Sequence, residues 1–255
     1  MADKPQTNQQ KPTKPTPYSW VNKNVINMFE ANKITDPQAQ KNIIWTIQAE
    51  TGGVPKRENM NYSSAERIVN VFKNNKLFAG MSFDDAVQKA KDMNLVKNPQ
   101  ALANAVYGGR MGNTDPNDGW KYRGGAGLGI TGKANYQAVF KQLGMPIDTD
   151  PDVLTKNPDL AMRANLAFLA INGKGKNLAD INQVNKIIRP AVSYEERLKN
   201  NPMPTDEILI KARNMPVEQS VPVQKQVSMN PMDNLPTLSV ASDGTPAFDI
   251  RPTFI

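Results

Sequence analysis

Between residues 36 and 158, side chains able to cap a helix repeatedly stand directly before a proline, among them Asp36-Pro37, Asn98-Pro99, Asp150-Pro151 and Asn157-Pro158. Proline suits the first helical position, where the N–H it lacks would find no intrahelical partner. An Asp or Asn before it can accept from the free N–H groups of the first turn. Ser63 with Glu66, Ser82 with Asp85 and Ser193 with Glu196 add capping-box spacing. Apolar residues then recur at helical steps: Ile43, Ile44 and Ile47; Ile68, Val71 and Phe72; Ala86, Val87 and Ala90; Ala161, Ala164 and Phe168; Ile181, Val184 and Ile188. Gly144 and Gly173 read as helix stops. Strand alternation is scarce. Residues 18–214 therefore read as a mainly α domain. The exception is 107–132, which is Gly-rich, aromatic and non-periodic: a long ordered loop or a small hairpin region. Loops of that length inside helical domains are often functional.

Both flanks differ from this middle. Residues 1–17 are polar, with Pro5, Pro12, Pro15 and Pro17 and three lysines, and cannot bury enough apolar surface to fold alone. Residues 215–255 hold Pro216, Pro222, Pro231, Pro236, Pro246 and Pro252 without helical periodicity. Scattered apolar residues such as Val221, Leu238 and Phe254 make this segment either disordered or an extended arm that lies on a partner. No apolar stretch follows Met1, so a signal peptide is not expected. No run of about 20 apolar residues could span a bilayer. The expectation is a chain made in the host cytoplasm.

Composition narrows the chemistry. The 255 residues contain no cysteine and no histidine. Thiol nucleophiles, Ser-His-Asp triads, disulfide frameworks and the usual zinc sites are excluded, so no metal or cofactor is expected. Acid–base work falls to carboxylates, Lys and Tyr, which favours a two-carboxylate mechanism. The net charge is +7 and the pI about 9.4. A basic surface draws anionic partners, but the charge is diffuse, and a nucleic-acid site ranks last among the readings.

Two stretches hold the candidates. Glu50-Thr51-Gly52-Gly53 closes an amphipathic segment, and Pro55 follows the glycine pair. Glu58-Asn59 and Asn61-Tyr62 come next. On one unbroken helix, eight residues would separate the two carboxylates by about 12 Å. A break between them permits the roughly 6.5–9.5 Å that an inverting glycosidase needs to seat water between acid and base. Glu58 also stands beside Lys56 and Arg57, where a surface ion pair is the alternative. The second stretch runs from Tyr107 through Arg110 and Asn113 to Trp120, Tyr122 and Arg123, and on through Thr131 to Asn135 and Tyr136. Rings that pack on sugar faces, amides and guanidinium groups set among glycines suit a carbohydrate cleft. Core packing for Tyr107, Trp120 and Tyr122, and a loop-holding role for Arg123, are the alternatives.

Taken in order, these motifs resemble the family 19 glycoside hydrolases, the chitinase and phage-endolysin group, across roughly residues 43–198. The motifs are Glu50-Thr51-Gly52-Gly53, Glu58-Asn59-x-Asn61-Tyr62, Tyr107 to Asn113, Asp118 to Gly124 and Thr131 to Tyr136. The resemblance implies a lysozyme-like helical fold with a central cleft, and inverting hydrolysis of β-1,4 bonds in peptidoglycan or chitin. It implies Glu50 as general acid and Glu58 as the base that activates water. It implies substrate-side roles for Thr51, Asn61, Tyr62, Tyr107, Arg110, Asn113, Trp120, Tyr122, Arg123, Thr131 and Asn135.

Departures stand beside the matches. Ala49 replaces a family histidine, Gly125 an arginine and Gly129 a glutamine, and Arg189 falls where an asparagine is expected. The leading expectation is a phage peptidoglycan hydrolase carried in the virion, docked on phage structural proteins through its two arms and acting in the host envelope. The alternative is a structural virion protein on a lysozyme-like scaffold without catalysis.

Overall fold

The computed structural model describes residues 16–188 and 201–217, together with Glu195 and Leu198. The Ser193–Glu196 capping box, Arg189 and most of both arms lie outside the described residues. The architecture is mainly α. Its helices are α1 (Lys23–Ala31), α2 (Pro37–Thr51), α3 (Ala65–Phe72), α4 (Phe83–Asp92), α5 (Pro99–Tyr107), α6 (Asp118–Lys121), α7 (Lys133–Gln142), α8 (Val153–Lys156), α9 (Pro158–Asn172), α10 (Ile181–Ile188) and α11 (Asp206–Asn214), with a short 3-10 turn at Lys76–Phe78.

Of the cap-proline pairs named above, three open helices. Asp36 accepts from the N–H groups of Gln38 and Ala39, Asn98 from that of Ala101, and Asn157 from that of Leu160. Asp150-Pro151 does not. Its carboxylate accepts from the N–H of Asp152 at 3.0 Å, which closes a turn, and α8 starts later, at Val153. The cap of α3 is Ser64 rather than Ser63, with Oγ accepting from the N–H of Arg67 at 3.2 Å. That register puts Ala65, Ile68, Val69 and Phe72 on the buried side. Ser82 caps α4 as expected, accepting from the N–H of Asp85. Gly144, at φ +67°, follows α7, and Gly173 caps α9.

The hydrophobic residues fall into two clusters. The first joins α1, α2, residues 122–130, α7, α9, α10 and α11 around Phe29, Ile43, Tyr136, Phe140 and Phe168. The second runs from Met60 through α3, α4 and α5 to Tyr107. The chain leaves the first core after α2 and re-enters it near Tyr122, so it crosses between the cores twice. Residues 52–59 make the short crossing and residues 108–121 the long one. The long crossing contains α6, and an isolated antiparallel bridge of Gly125 with Ile130 follows it. The first candidate stretch therefore lies at the short passage, and the second begins in the long passage and ends in the first core.

Candidate active site

Glu50 sits in the last turn of α2 and is 5% exposed. Ile43 and Ile47, on the same helix, are buried in the first core. The helix ends because Gly52 takes the left-handed conformation, φ +70°, and its N–H caps the carbonyl of Gln48. Gly53 continues at φ +83°. No side chain fits there: a Cβ on Gly53 would stand 1.8 Å from Cδ1 of Trp20. The Trp20 indole N–H is tied back to Oε1 of Gln48 at 2.8 Å. The two glycines turn the chain off the helix, and the tryptophan seated against the second one fixes its course. Thr51 is buried, with its hydroxyl donating to the carbonyl of Ile47 at 3.0 Å.

Glu58 arrives on the other side of that turn. It is 2% exposed, which removes the surface ion-pair reading. Its own N–H donates to the carbonyl of Gly124 at 2.8 Å, and its carbonyl accepts from Arg123 Nε at 3.2 Å. The Tyr107 hydroxyl lies 2.8 Å from one carboxylate oxygen of Glu58 and 3.0 Å from the other. Burial, then the charge of Glu58 and its hydrogen bond, hold the Tyr107 phenol far above its ordinary pKa, so it is a donor at every physiological pH. Tyr62 is pushed up to about 12, first by burial and then by the charge of Glu58. Its ring meets Phe72 edge-on at 5.7 Å. One phenol held in the protonated form thus meets both oxygens of this buried carboxylate.

Arg57, read from sequence only as a possible partner of Glu58, turns elsewhere. It donates to the Tyr136 hydroxyl at 2.9 Å and to the carbonyl of Lys121, and its Nε lies 3.4 Å from Asp152. Gly125 makes this possible. A Cβ at 125 would stand 2.3 Å from the Tyr136 hydroxyl and 3.1 Å from Nη1 of Arg57. The position where an arginine was expected is therefore closed to a side chain, and a guanidinium reaches the same neighbourhood from residue 57. Gly129, at φ +71°, is likewise in a conformation that a glutamine would adopt only under strain.

The second stretch is held together chiefly by its own side chains. Asn113 is 1% exposed, donates to the carbonyl of Tyr107 at 2.9 Å and accepts from the N–H of Lys133 at 2.8 Å. Asp118 accepts from the N–H groups of Thr114 and Asp115 and from Lys133 Nζ, each at 3.0 Å. Burial would raise its pKa, but these bonds outweigh burial and hold it below the ordinary value. Thr131 donates to the carbonyl of Gly129, and Asn135 to that of Thr131, each at 2.8 Å. Tyr122 is buried in the first core against Tyr136. Arg123 stacks 3.5 Å over the half-buried Trp120 ring and donates to the Trp120 carbonyl. Burial, then the neighbouring charge of Arg57, pulls the Arg123 pKa down to about 10. Arg110 is half-buried and Asn61 exposed.

Thr51, Tyr107, Asn113, Arg123, Thr131 and Asn135 thus all spend hydrogen bonds inside the protein. Sequence reading missed Arg57 as a strut. The signal was available in the paired departures, a glycine at 125 and a guanidinium beside Glu58. Among the described residues no cluster of acidic side chains could hold a metal ion, and no helix is long and apolar enough to cross a membrane.

No protein-family profile matches the chain. Over 95 residues it is 39% identical to a glycosyl hydrolase family 19 domain-containing protein of Haemophilus influenzae. The matched stretch is 36% of this chain and 44% of that protein, so the chain spans less than half the length of the relative. The match supports kinship with the family 19 glycoside hydrolases over that stretch.

Proposed function

We propose that this protein is a peptidoglycan hydrolase that cleaves β-1,4 glycosidic bonds with inversion. The observation that carries the reading is a pair of buried glutamates on either side of a glycine turn between two cores, one of them gripped at both oxygens by a phenol that stays protonated. Glu50, desolvated against Ile47, would give its proton to the glycosidic oxygen. Glu58, ionised and hydrogen-bonded by Tyr107, would take a proton from a water that attacks the anomeric carbon from the opposite face. The carboxylate retains lone pairs for that water after accepting from the tyrosine. The glycan would lie in a cleft along the passage between the cores, with Asn61, Arg110 and Trp120 on its border.

Peptidoglycan is preferred to chitin because the net charge of +7 suits an anionic envelope. The polar, Pro-rich segments 1–17 and 215–255 are the proposed docking arms onto phage structural proteins, with the protein carried in the virion to the host wall. An intact virion that contains no copy of this chain would end that part of the proposal.

The departures Gly125 and Gly129 favour a second reading, a lysozyme-like particle component without catalysis. Turbidity loss on purified bacterial walls separates the two. Wild type clears and Glu50→Gln and Glu58→Gln do not, if the hydrolase reading holds. A folded wild type that clears no wall type leaves the structural reading.

A further inference from the structure

The helix that carries Glu50 is gripped from both ends of the chain. Along most of its length α2 is tied to residues 201–213. Gln40 accepts from Arg213 Nη2 at 3.0 Å, Lys41 meets Asp206 at 2.8 Å, and the Trp45 indole N–H donates to the carbonyl of Asn201 at 2.7 Å. These three contacts stop short of the last turn, where Glu50 sits. There the grip comes from residues 18–20. Gln48 Oε1 accepts from the Trp20 indole N–H at 2.8 Å and from the Tyr18 N–H at 3.2 Å. The carbonyl of the same Gln48 accepts from the N–H of Gly52 at 2.8 Å. The Trp20 ring lies against Gly53, so close that it occupies the place of a Cβ there. Tyr18 stands at φ +65°, a conformation that a bulky residue keeps only where its surroundings over-determine it. Here they do: its side chain is buried, its hydroxyl donates to the carbonyl of Pro202, and its N–H is held by Gln48. Residues 18–20 thus fasten the glycine turn to the same stretch, 201–202, that holds Trp45.

Two successive left-handed glycines have no side chains of their own to hold them on one path. The direction in which the chain leaves Glu50, and with it the spacing of the acid from Glu58, is therefore set by what presses on the turn from outside. We propose that Trp20 is a positioning residue for Glu50. Through Gln48 and Gly53 it fixes the last turn of α2, and so the aim of the Glu50 carboxyl at the glycosidic oxygen. Trp20 acts through these two residues and not on the substrate. The proposal rests on the glycoside hydrolase reading above, with Glu50 as the acid.

The test compares the full chain with Trp20→Ala, which loses both ring and N–H, and with Trp20→Phe, which keeps a ring for Gly53 but cannot donate to Gln48. Kinetics are measured on solubilised peptidoglycan strands, with rates expressed per folded molecule from circular dichroism. Trp20→Ala is expected to lower kcat about tenfold to a hundredfold with KM changed by less than about twofold, the scale of loss from a small misplacement of a catalytic group. Trp20→Phe is expected to recover part of that loss. The carboxyl-carbon resonance of Glu50 in isotope-labelled protein gives a readout without turnover. It is expected to move in Trp20→Ala and to return toward the wild-type position in Trp20→Phe. Three outcomes overturn the proposal: kcat per folded molecule unchanged in Trp20→Ala, a loss confined to KM, or a Glu50 resonance that stays in place. If Trp20→Ala does not fold, Gln48→Leu, which removes the acceptor and leaves the indole ring, is taken through the same measurements with the same expectations. A wild type that turns over no strand fails the hydrolase reading, and the positioning of Glu50 by Trp20 is then decided by the resonance alone.

Discussion

The two passages between the cores are held by different means. The short one, residues 52–59, is held mostly by backbone: two left-handed glycines, the Trp20 ring filling the space beside Gly53, and the N–H of Glu58 on Gly124. The long one, residues 108–121, is held mostly by side chains. The Asn113 amide spans Tyr107 and Lys133, and the Asp118 carboxylate gathers two N–H groups and an ammonium. Backbone devices fix the path of a chain with few residues but tolerate no added atom. Side-chain clamps tolerate variation around them but fail when one group is removed. The short passage joins the two glutamates, and the long one brings Tyr107 and Arg123 to the second of them.

The sharpest way to separate chemistry from scaffolding is to replace each carboxylate by its amide. Glu50→Gln and Glu58→Gln are expected to slow wall clearing by about a hundred- to ten-thousand-fold with the fold retained, since that is the range for losing a general acid or base. Turbidity rates with matched circular dichroism read this out. A fully active Glu58→Gln would remove the base from residue 58.

Breaking the short passage needs only one methyl group. Gly53→Ala is expected to cost about 2–4 kcal/mol, from the left-handed backbone and the overlap with Trp20 together. A melting temperature equal to that of the wild type would mean that Trp20 is not seated on this glycine. In the long passage the corresponding step is a deletion. Asn113→Ala leaves the Tyr107 carbonyl and the Lys133 N–H without their partner and is expected to cost about 1–3 kcal/mol, measured by chemical denaturation.

Both cores share a sensitivity to alkali. Tyr18 and Tyr136 in the first and Tyr62 in the second are each raised to about 12, chiefly by burial, and Tyr107 is held well above its ordinary value. Their unfolded values are about 10, so the unfolded chain loses these protons first as pH rises. Stability from this source is complete below about pH 10 and is lost as pH climbs through the folded values. Denaturation midpoints that hold constant to about pH 11 would contradict the burial of these phenols. The smallest effect belongs to the rim of the long passage. The Asp115 side chain is 70% exposed where it meets Lys133, and Asp115→Asn is expected to change stability by less than about 1 kcal/mol.

The same contrast explains what could be read from the sequence. The short passage was legible because glycine and proline act locally. Gly52-Gly53 ends α2 through its own left-handed backbone, and the cap-proline pairs at 36, 98 and 157 open helices by contacts within three residues. Asp150-Pro151 misled because an aspartate can close a turn as readily as it caps a helix, and only packing decides. Ser63 and Ser64 are both competent caps, and the choice between them follows from burying Ile68 and Phe72. The long passage was legible only as functional-looking composition. That Asn113 reaches Lys133, or that Arg57 turns from Glu58 to Tyr136, depends on partners far along the chain.

The crowding at Gly125 also constrains how this protein can change over generations. A side chain cannot be added at 125 while Arg57 and Tyr136 keep their places, because its first carbon would overlap the tyrosine hydroxyl. Shortening the residue at 57 or at 136 must come first, and each such step loses the Arg57–Tyr136 bond before anything is gained. An arginine side chain reaching this neighbourhood from 57 and a side chain at 125 therefore exclude each other while Tyr136 keeps its place.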